Sequence, residues 1–258
     1  MKVDLKELTK VAKKAALEAG KEILEIYHGD DFDVQLKGDN SPLTKADRAA
    51  HEVIVRYLAD TEIPVLSEEG KDIPYTTRKD WKYFWMVDPL DGTKEFVKRN
   101  GEFTVNIALI SDGKPVLGIV YAPVLDKLYH ASEGMGAFLV EGGQDKQLRS
   151  NTFHRSDEGL NVVASRSHLN EATEEFLNAL KNPNIVSMGS SLKFLVVAEG
   201  GAELYPRYAP TMEWDTAAAQ VVVEQAGGFV YQEGTQTPVR YNKENLLNPY
   251  FLCKGSEQ

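Results

Sequence analysis

The sequence predicts a layered protein, α+β in its first part and α/β in its second. Three patterns carry this: a long amphipathic helical repeat at the start, apolar strand segments joined by short turns over residues 103–140, and strands alternating with helices after residue 160. Over residues 4–27, Leu5, Leu8, Ala12, Ala15, Ala16, Ala19, Ile23 and Ile26 recur at three-to-four spacing, as on one helix face. The polar loop GDDFDVQLKGDNSP precedes a second helix over about 44–60, where Thr44 and Asp47 have capping-box spacing. Tyr83–Val87 reads as a buried strand ending abruptly at Asp88-Pro89. The segments TVNIALIS, PVLGIVYA, KLYHAS and GAFLVE read as strands, with turns at Asp112-Gly113 and Glu133-Gly134. Residues 141–159 form the most polar stretch and are read as a loop at a boundary. Strand LNVVAS, a helix near 170–181, strand NIVSM, a helix from about 191, strand AELYP and a helix from about 214 to Gly227-Gly228 follow. The expected division is 1–150, an α+β subdomain, and 151–258, an α/β subdomain.

Composition excludes several classes. The 258 residues are 42% hydrophobic and 26% charged, as in ordinary globular chains. No apolar run approaches the roughly 18–20 residues that span a bilayer, and no secretory signal is visible at the N-terminus. One cysteine, Cys253, excludes an internal disulfide and a multi-cysteine metal site. The expected location is the cytoplasm, with loose association with the inner face of the membrane left open. A net charge of −10 argues against nucleic acid and anionic lipid as partners. A compact anion site remains feasible where bound cations invert the local field.

Acid is concentrated where strands end or helices begin: Thr44–Asp47, Ser67-Glu68-Glu69-Gly70, Asp88-Pro89-Leu90-Asp91-Gly92-Thr93 and Glu213-Trp214-Asp215. Pro89 fixes φ, so the turn can aim Asp88, Asp91 and the Leu90 carbonyl at one point. Oxygen donors of this kind suit Mg²⁺ better than zinc. If Glu68, Asp88, Asp91 and Asp215 converge, their four charges require cations, and two or three Mg²⁺ ions next to an anion favour phosphoryl hydrolysis. Each residue alone has a plainer reading. Asp91 could be an N-cap, Asp47 half of a capping box, Glu68-Glu69 a solvated loop, and Asp215 a first-turn helix acid. Spacing alone does not prove convergence.

The motifs DPLDGT (88–93), WDTAA (214–218) and SEEG (67–70), in that order, resemble the signatures of the inositol monophosphatase superfamily of Mg²⁺-dependent, lithium-sensitive phosphatases. A finer resemblance, to the bacterial CysQ-type 3′(2′),5′-bisphosphate nucleotidases, lies in DNSPLTKAD, PVLSEE, LGIVYAPV, SRSH, GSSLKF, AEGGAELYPR and PTMEWDTAA. The resemblance runs from about residue 39 to the C-terminus and is weak over 141–159.

The resemblance implies a layered αβαβα sandwich with the active site between two subdomains, most metal ligands lying in the first. Glu68, Asp88 and the Leu90 carbonyl match ligands of one metal, and Asp88, Asp91 and Asp215 those of a second. Glu68 also borders a third. Asp47 and Thr93 match the pair that orients and deprotonates the attacking water, and Gly92 and Thr93 would meet the scissile phosphate through backbone amides. His168, Ser190, Lys193 and Arg207 match contacts to the adenosine part and the remaining phosphate, with Asp215 also on the substrate's side. Taken alone, His168, Lys193 and Arg207 would be surface residues. The implied reaction is hydrolysis of adenosine 3′,5′-bisphosphate to AMP and phosphate by metal-activated water, some relatives also accepting the sulfated nucleotide. Rivals are activity on inositol monophosphate or fructose 1,6-bisphosphate, and a non-catalytic metal-binding regulator, although the latter has no need of the Asp47–Thr93 pair. Monomer and dimer both remain open. His28, His51, His130 and His154 are read as structural or surface residues, and Trp81, Trp85, Phe84 and Phe103 as core.

Overall fold

The computed structural model describes residues 3–29, 35–36, 42–70, 73–164 and 169–258. Helix α1 (Leu5–Tyr27) begins where the Asp4 carboxylate accepts from the backbone N–H groups of Lys6 and Glu7. Strands β1 (Gln35–Leu36) and β2 (Pro42–Leu43) pair as a short ribbon before α2 (Lys45–Ala59). Then come β3 (Val65–Ser67), a 3₁₀ turn (Glu68–Gly70), α3 (Tyr75–Arg78), β4 (Tyr83–Asp91) and α4 (Thr93–Val97). The strands β5 (Thr104–Ser111), β6 (Lys114–Ala122), β7 (Lys127–Ser132), β8 (Gly136–Glu141) and β9 (Gln144–Gln147) form a meander. Together β3 to β9 make a seven-stranded sheet in sequential order, antiparallel except for the parallel pair β3–β4.

The second half contributes β10 (Thr152–Phe153), β11 (Asn161–Val163), α5 (Glu171–Asn178), β12 (Asn184–Val186), α6 (Leu192–Ala198), β13 (Leu204–Arg207) and α7 (Glu213–Gln225). Strands β14 (Phe229–Gln232), β15 (Phe251–Lys254) and β16 (Ser256–Glu257) complete it. A five-stranded sheet runs in the order β12-β11-β13-β15-β14, parallel on the β12 side and antiparallel around β15.

The cores define the layers. Alternate residues of the long sheet point to opposite faces: Trp85, Val87, Ile107 and Leu109 pack with α1 and α2, whereas Phe84, Met86, Ala108 and Ile110 pack with α6 and α7. Burial of both faces explains why these strands read as continuous apolar runs. The far side of α6 and α7 meets the five-stranded sheet, and a third cluster of Leu160, Val162, Leu177, Leu180 and Leu204 holds α5 against that sheet's outer face. The order is αβαβα. Ala217, Ala218 and Ala219 let α7 approach closely; a Cβ on Gly118 of β6 would lie 2.1 Å from the Ala218 carbonyl oxygen.

Two expectations need correction. The 141–159 stretch contains β9 and β10, because its polar residues lie on a solvent-facing sheet edge and a parallel pairing with β16. The strand expected to stop at Val87 continues to Asp91 through a bulge. Strand β15 has no alternation in the sequence to mark it, and Cys253 within it is buried. Trp85, Phe84 and Phe103 are fully buried, and Trp81 packs against the core.

Candidate active site

Asp88 and Asp91 are three residues apart, so in a regular strand they would point to opposite faces. On β5, Asn106 pairs with Asp88 and Thr104 with Asp91, so three steps on β4 oppose two on β5. The extra residue falls at Pro89-Leu90, where Pro89 has no N–H to give a ladder, and the bulge turns both carboxylates to one side. Gly92 follows at φ +91°, a left-handed conformation in which a Cβ would press on Ser190, Phe103 and the Glu102 carbonyl at 3.2–3.3 Å. This turn launches α4 with Thr93 as its first residue.

From α7, on the other half of the chain, Asp215 closes the group: carboxylate oxygens of Asp88, Asp91 and Asp215 lie within 4.8 Å of one another. The Asp215 Oδ2 accepts from the Met212 backbone N–H at 2.9 Å, which anchors the helix start. Glu68 stands outside that triplet but lines the same 350 Å³ cavity, with Asp88, Leu90, Asp91, Thr93 and Asp215. Burial first, then the charges of Glu68, Asp91, Asp215 and Asp47, push the Asp88 carboxyl well above its ordinary range. Burial also raises Asp215, followed by the charge of Asp91, against the Met212 N–H, which lowers it. An all-oxygen set with one buried and two half-buried carboxylates and crowded negative charge fits a hard divalent cation.

The sign of the pH dependence follows. A carboxyl raised in the folded state stabilises the fold fully below its unfolded pKa of about 4, and that contribution disappears as pH rises through the folded values. The metal-free protein should lose thermal stability on going from about pH 5.5 to about pH 8, and Mg²⁺ should raise the melting temperature more at the higher pH. Differential scanning fluorimetry with and without Mg²⁺ reads both. Equal Mg²⁺ shifts at the two pH values would contradict the assignment.

Asp47 is 2% exposed and has two duties. Its Oδ2 accepts from the Thr44 N–H at 2.8 Å and the Thr44 hydroxyl at 2.7 Å, completing a reciprocal capping box on α2. Its Oδ1 accepts from the Thr93 hydroxyl at 3.3 Å, which also lies 3.3 Å from the Leu90 carbonyl. Capping therefore orients the carboxylate, and one oxygen remains for Thr93.

Next to the carboxylates is a second cavity of about 270 Å³, lined by Asp91, Gly92, Glu95, Ser190, Lys193, Arg207 and Asp215 among others. Lys193, on α6, donates to the Ser190 carbonyl at 3.1 Å; burial depresses its ammonium, while the charge of Asp91 pulls the other way. Arg207, at the end of β13, donates from Nη2 to the Pro210 carbonyl at 3.2 Å and keeps a buried Nε with no partner among the described residues. Both cations also line a smaller cavity of about 80 Å³ beside Leu169 and Asn170. The Ser190 hydroxyl donates to Asp91 Oδ2 at 2.5 Å, so its observed partner is a carboxylate of the first cavity. His168 lies outside the described residues.

Several residues at the site were missed or underread in the sequence. Thr104, Asn106 and Ser191 form a buried hydroxyl and amide group beneath Asp91. Their only sequence signal is polarity inside otherwise apolar strand and helix segments. Glu213 is fully buried and takes the Lys243 ammonium at 2.6 Å and the Asn242 and Lys243 N–H groups at 2.6 and 3.0 Å, clamping a distant loop onto the start of α7. His51, read as structural, places Nδ1 2.9 Å from the hydroxyl of Ser67, next to Glu68.

Clustered carboxylates thus lie beside a cavity lined by Lys193 and Arg207, an arrangement whose charges suit cations on one side and an anion on the other. The chain belongs to the inositol monophosphatase family, whose model matches residues 4–250. It is similar to 3'(2'),5'-bisphosphate nucleotidase CysQ of Escherichia coli O6:H1, 50% identical over 241 residues that cover 92% of this chain and 95% of the relative. The Haemophilus influenzae protein of the same name is 36% identical over 246 residues, covering 94% and 90%. Among solved structures, CysQ from Bacteroides thetaiotaomicron, a bacterial member of the inositol monophosphatase family, superposes with a TM-score of 0.87 at 46% identity, covering 98% of each chain. The extragenic suppressor protein suhB from Bartonella henselae reaches a TM-score of 0.78 at 28% identity, covering 96% and 94%.

Proposed function

We propose that this chain is a Mg²⁺-dependent 3′(2′),5′-bisphosphate nucleotidase that hydrolyses the 3′-phosphate of adenosine 3′,5′-bisphosphate to AMP and phosphate. Similarity to the CysQ nucleotidases supports the reaction class. The observation that carries the substrate class is adjacency: the cavity of Lys193 and Arg207 shares Asp91, Gly92, Glu95 and Asp215 with the cavity of the carboxylates. A bisphosphate can thus put one phosphate at the carboxylate cluster and the other against the two cations.

Asp88, Asp91, Asp215, Glu68 and the Leu90 carbonyl would hold Mg²⁺, two to three ions in all. When bound, the ions supply Lewis-acid polarisation and neutralise charge on the transferring phosphoryl group. Thr93 orients the attacking water: its hydroxyl proton points to Asp47 Oδ1, so its oxygen is free to accept a hydrogen bond from that water. As the water oxygen bonds to phosphorus and the bond from phosphorus to the 3′ oxygen breaks, the water's proton passes to Thr93 Oγ1 and the Thr93 proton to Asp47 Oδ1. The departing 3′ oxygen takes a proton from a solvent water, and the hydroxide left behind is neutralised by the proton that Asp47 then releases. The backbone amides of Gly92 and Thr93 bind the scissile phosphate. Lys193, Arg207 and the backbone amide of Ser190, with His168, hold the rest of the nucleotide, the Ser190 hydroxyl being engaged with Asp91. Residues 1–150 then supply most metal ligands, and 151–258 the nucleotide contacts and Asp215.

No helix among the described residues is long and apolar enough to cross a membrane. We read the enzyme as cytoplasmic, with a single buried thiol at Cys253.

The deciding experiment follows phosphate release from adenosine 3′,5′-bisphosphate, inositol 1-phosphate and fructose 1,6-bisphosphate in parallel, with Mg²⁺ and with added Li⁺. Preference for the nucleotide, lost with lithium, supports the reading. Preference for either sugar phosphate would retain the phosphatase and discard the nucleotide. Lys193→Gln should raise KM for the bisphosphate at least about tenfold, as expected when a charged partner of an anion is removed. Its KM for inositol 1-phosphate should hardly change; an equal rise for both substrates would remove Lys193 from the specificity argument.

A further inference from the structure

We propose that Thr104, Asn106 and Ser191, with Ser190 above them, form a buried relay of hydrogen bonds that positions Asp91 and thereby sets the cation affinity of the carboxylate cluster. The proposal rests on reading that cluster as a metal site. Asp91 Oδ2 accepts two short hydrogen bonds, from the Ser190 hydroxyl at 2.5 Å and the Ser191 backbone N–H at 2.6 Å. Two donors on one oxygen lock the carboxylate rotamer and leave Oδ1 for a cation. Neither donor is close in sequence; both come from the segment before α6, about a hundred residues away.

What holds that segment is the β5 platform. The Ser190 hydroxyl lies 2.8 Å from the Thr104 hydroxyl, which is 2.7 Å from the Ser191 hydroxyl. The side-chain amide of Asn106 sits 3.1 Å from the Thr104 hydroxyl and 2.9 Å from that of Ser191. Thr104, Asn106 and Ser191 are at most 2% exposed, so water does not substitute for any missing partner. On β5, Thr104 and Asn106 are the residues opposite Asp91 and Asp88, respectively. Ser190 has φ +51°, an unusual conformation for a residue with a side chain, and the contacts with Asp91 and Thr104 hold it there.

One detail gives the relay a direction. With its amide oxygen toward the two hydroxyls, Asn106 leaves Nδ2 buried and without a partner among the described residues, a costly arrangement. Amide oxygen and nitrogen are nearly isosteric, and turning the group through 180° brings Nδ2 to the hydroxyls and leaves the carbonyl oxygen in its former place, where an unpartnered acceptor is more readily tolerated than an unpartnered donor. The protons then account for every contact. Asn106 donates to Thr104 and Ser191, Ser191 donates to Thr104, Thr104 to Ser190, and Ser190 to Asp91. Every donor points towards the carboxylate, and bonds aligned in this way reinforce one another. A filler of buried polar volume has no need of a common direction.

The test is Mg²⁺ binding by isothermal titration calorimetry on the full chain, alongside thermal melting. Thr104→Val preserves shape and breaks the relay in its middle; Mg²⁺ affinity should fall about tenfold or more, the usual effect of losing a partner behind a metal ligand. Thr104→Ser restores the hydroxyl and should bring affinity back to within about twofold of the unaltered protein. If Thr104→Val does not fold, the half-buried Ser190→Ala makes the same reading from the other end of the chain of bonds. Folded variants that bind Mg²⁺ as tightly as the unaltered protein overturn the proposal alone. An unaltered protein that binds no Mg²⁺ overturns the metal reading, and the proposal with it.

Discussion

Asp88→Asn should lower kcat at least about 10³-fold and at the same time raise the melting temperature of the metal-free protein. Asp88 is 1% exposed and sits in the field of Glu68, Asp91, Asp215 and Asp47, so its negative charge opposes folding unless a cation is present. Asparagine keeps the shape and an oxygen to accept from the Leu90 N–H, now 3.1 Å from Asp88 Oδ1. It removes one negative charge from a cluster that has too many, which relieves the metal-free fold. Cation affinity falls with that charge, and with it the electrostatic stabilisation of phosphoryl transfer, a loss of several kcal/mol. Asp91→Asn should likewise abolish turnover with the fold intact. The paired measurement is steady-state kinetics at saturating Mg²⁺ and melting in a chelator. Near-normal turnover would sink the metal assignment, and a metal-free protein less stable than the parent would contradict the electrostatic account.

Asp47→Asn should cut kcat by about 10²–10⁴, the span of lost general-base catalysis, with Mg²⁺ affinity nearly unchanged. Two donors from Thr44 converge on Asp47 Oδ2, so the oxygen of an asparagine is drawn to that side. Its NH₂ group then occupies the Oδ1 position and presents hydrogens to Thr93 where a lone pair is required. The helix cap survives, and destabilisation should stay under about 1 kcal/mol. Thr93→Val should produce a similar loss, and the double variant little more, because the two residues move one proton together. A Thr93→Val enzyme within about threefold of normal kcat would take Thr93 out of the proton path. Strict additivity in the double variant would separate the two roles.

Legibility in the sequence varied with the range of the signal. Local chemistry read best at the cap, where Thr44 and Asp47 are spaced for a capping box and form one, while Pro89, expected to end the strand, instead marks a bulge within it. The alternation of strands and helices, and the continuous apolar runs, marked layers with buried faces. Long-range pairing left weaker marks. The edge strand β9 reads as a polar loop because its exposed residues need no apolar alternation, and β15 is identified only by the neighbours it joins. Ser190 in GSSLKF carries a hydroxyl whose partner the sequence does not name, and in the fold that hydroxyl lies on Asp91. A hydroxyl can donate or accept, and only its surroundings choose its partner.

The sequence alone determined which residue types could do the chemistry. Oxygen donors cluster in DPLDGT, SEEG and WDTAA, a multi-cysteine metal site is excluded, and the net charge of −10 leaves a small anion, rather than a polyanion, as the negatively charged partner. Those are properties of composition and short spacing, which a chain carries in any conformation. Convergence was left to the tertiary structure. A one-residue bulge turns Asp88 and Asp91 to the same face, and close packing of α7 over Gly118 brings Asp215 to them from more than a hundred residues away. Register and helix approach arise from packing between distant segments, and so does the crowding of charge that makes this cluster demand a cation.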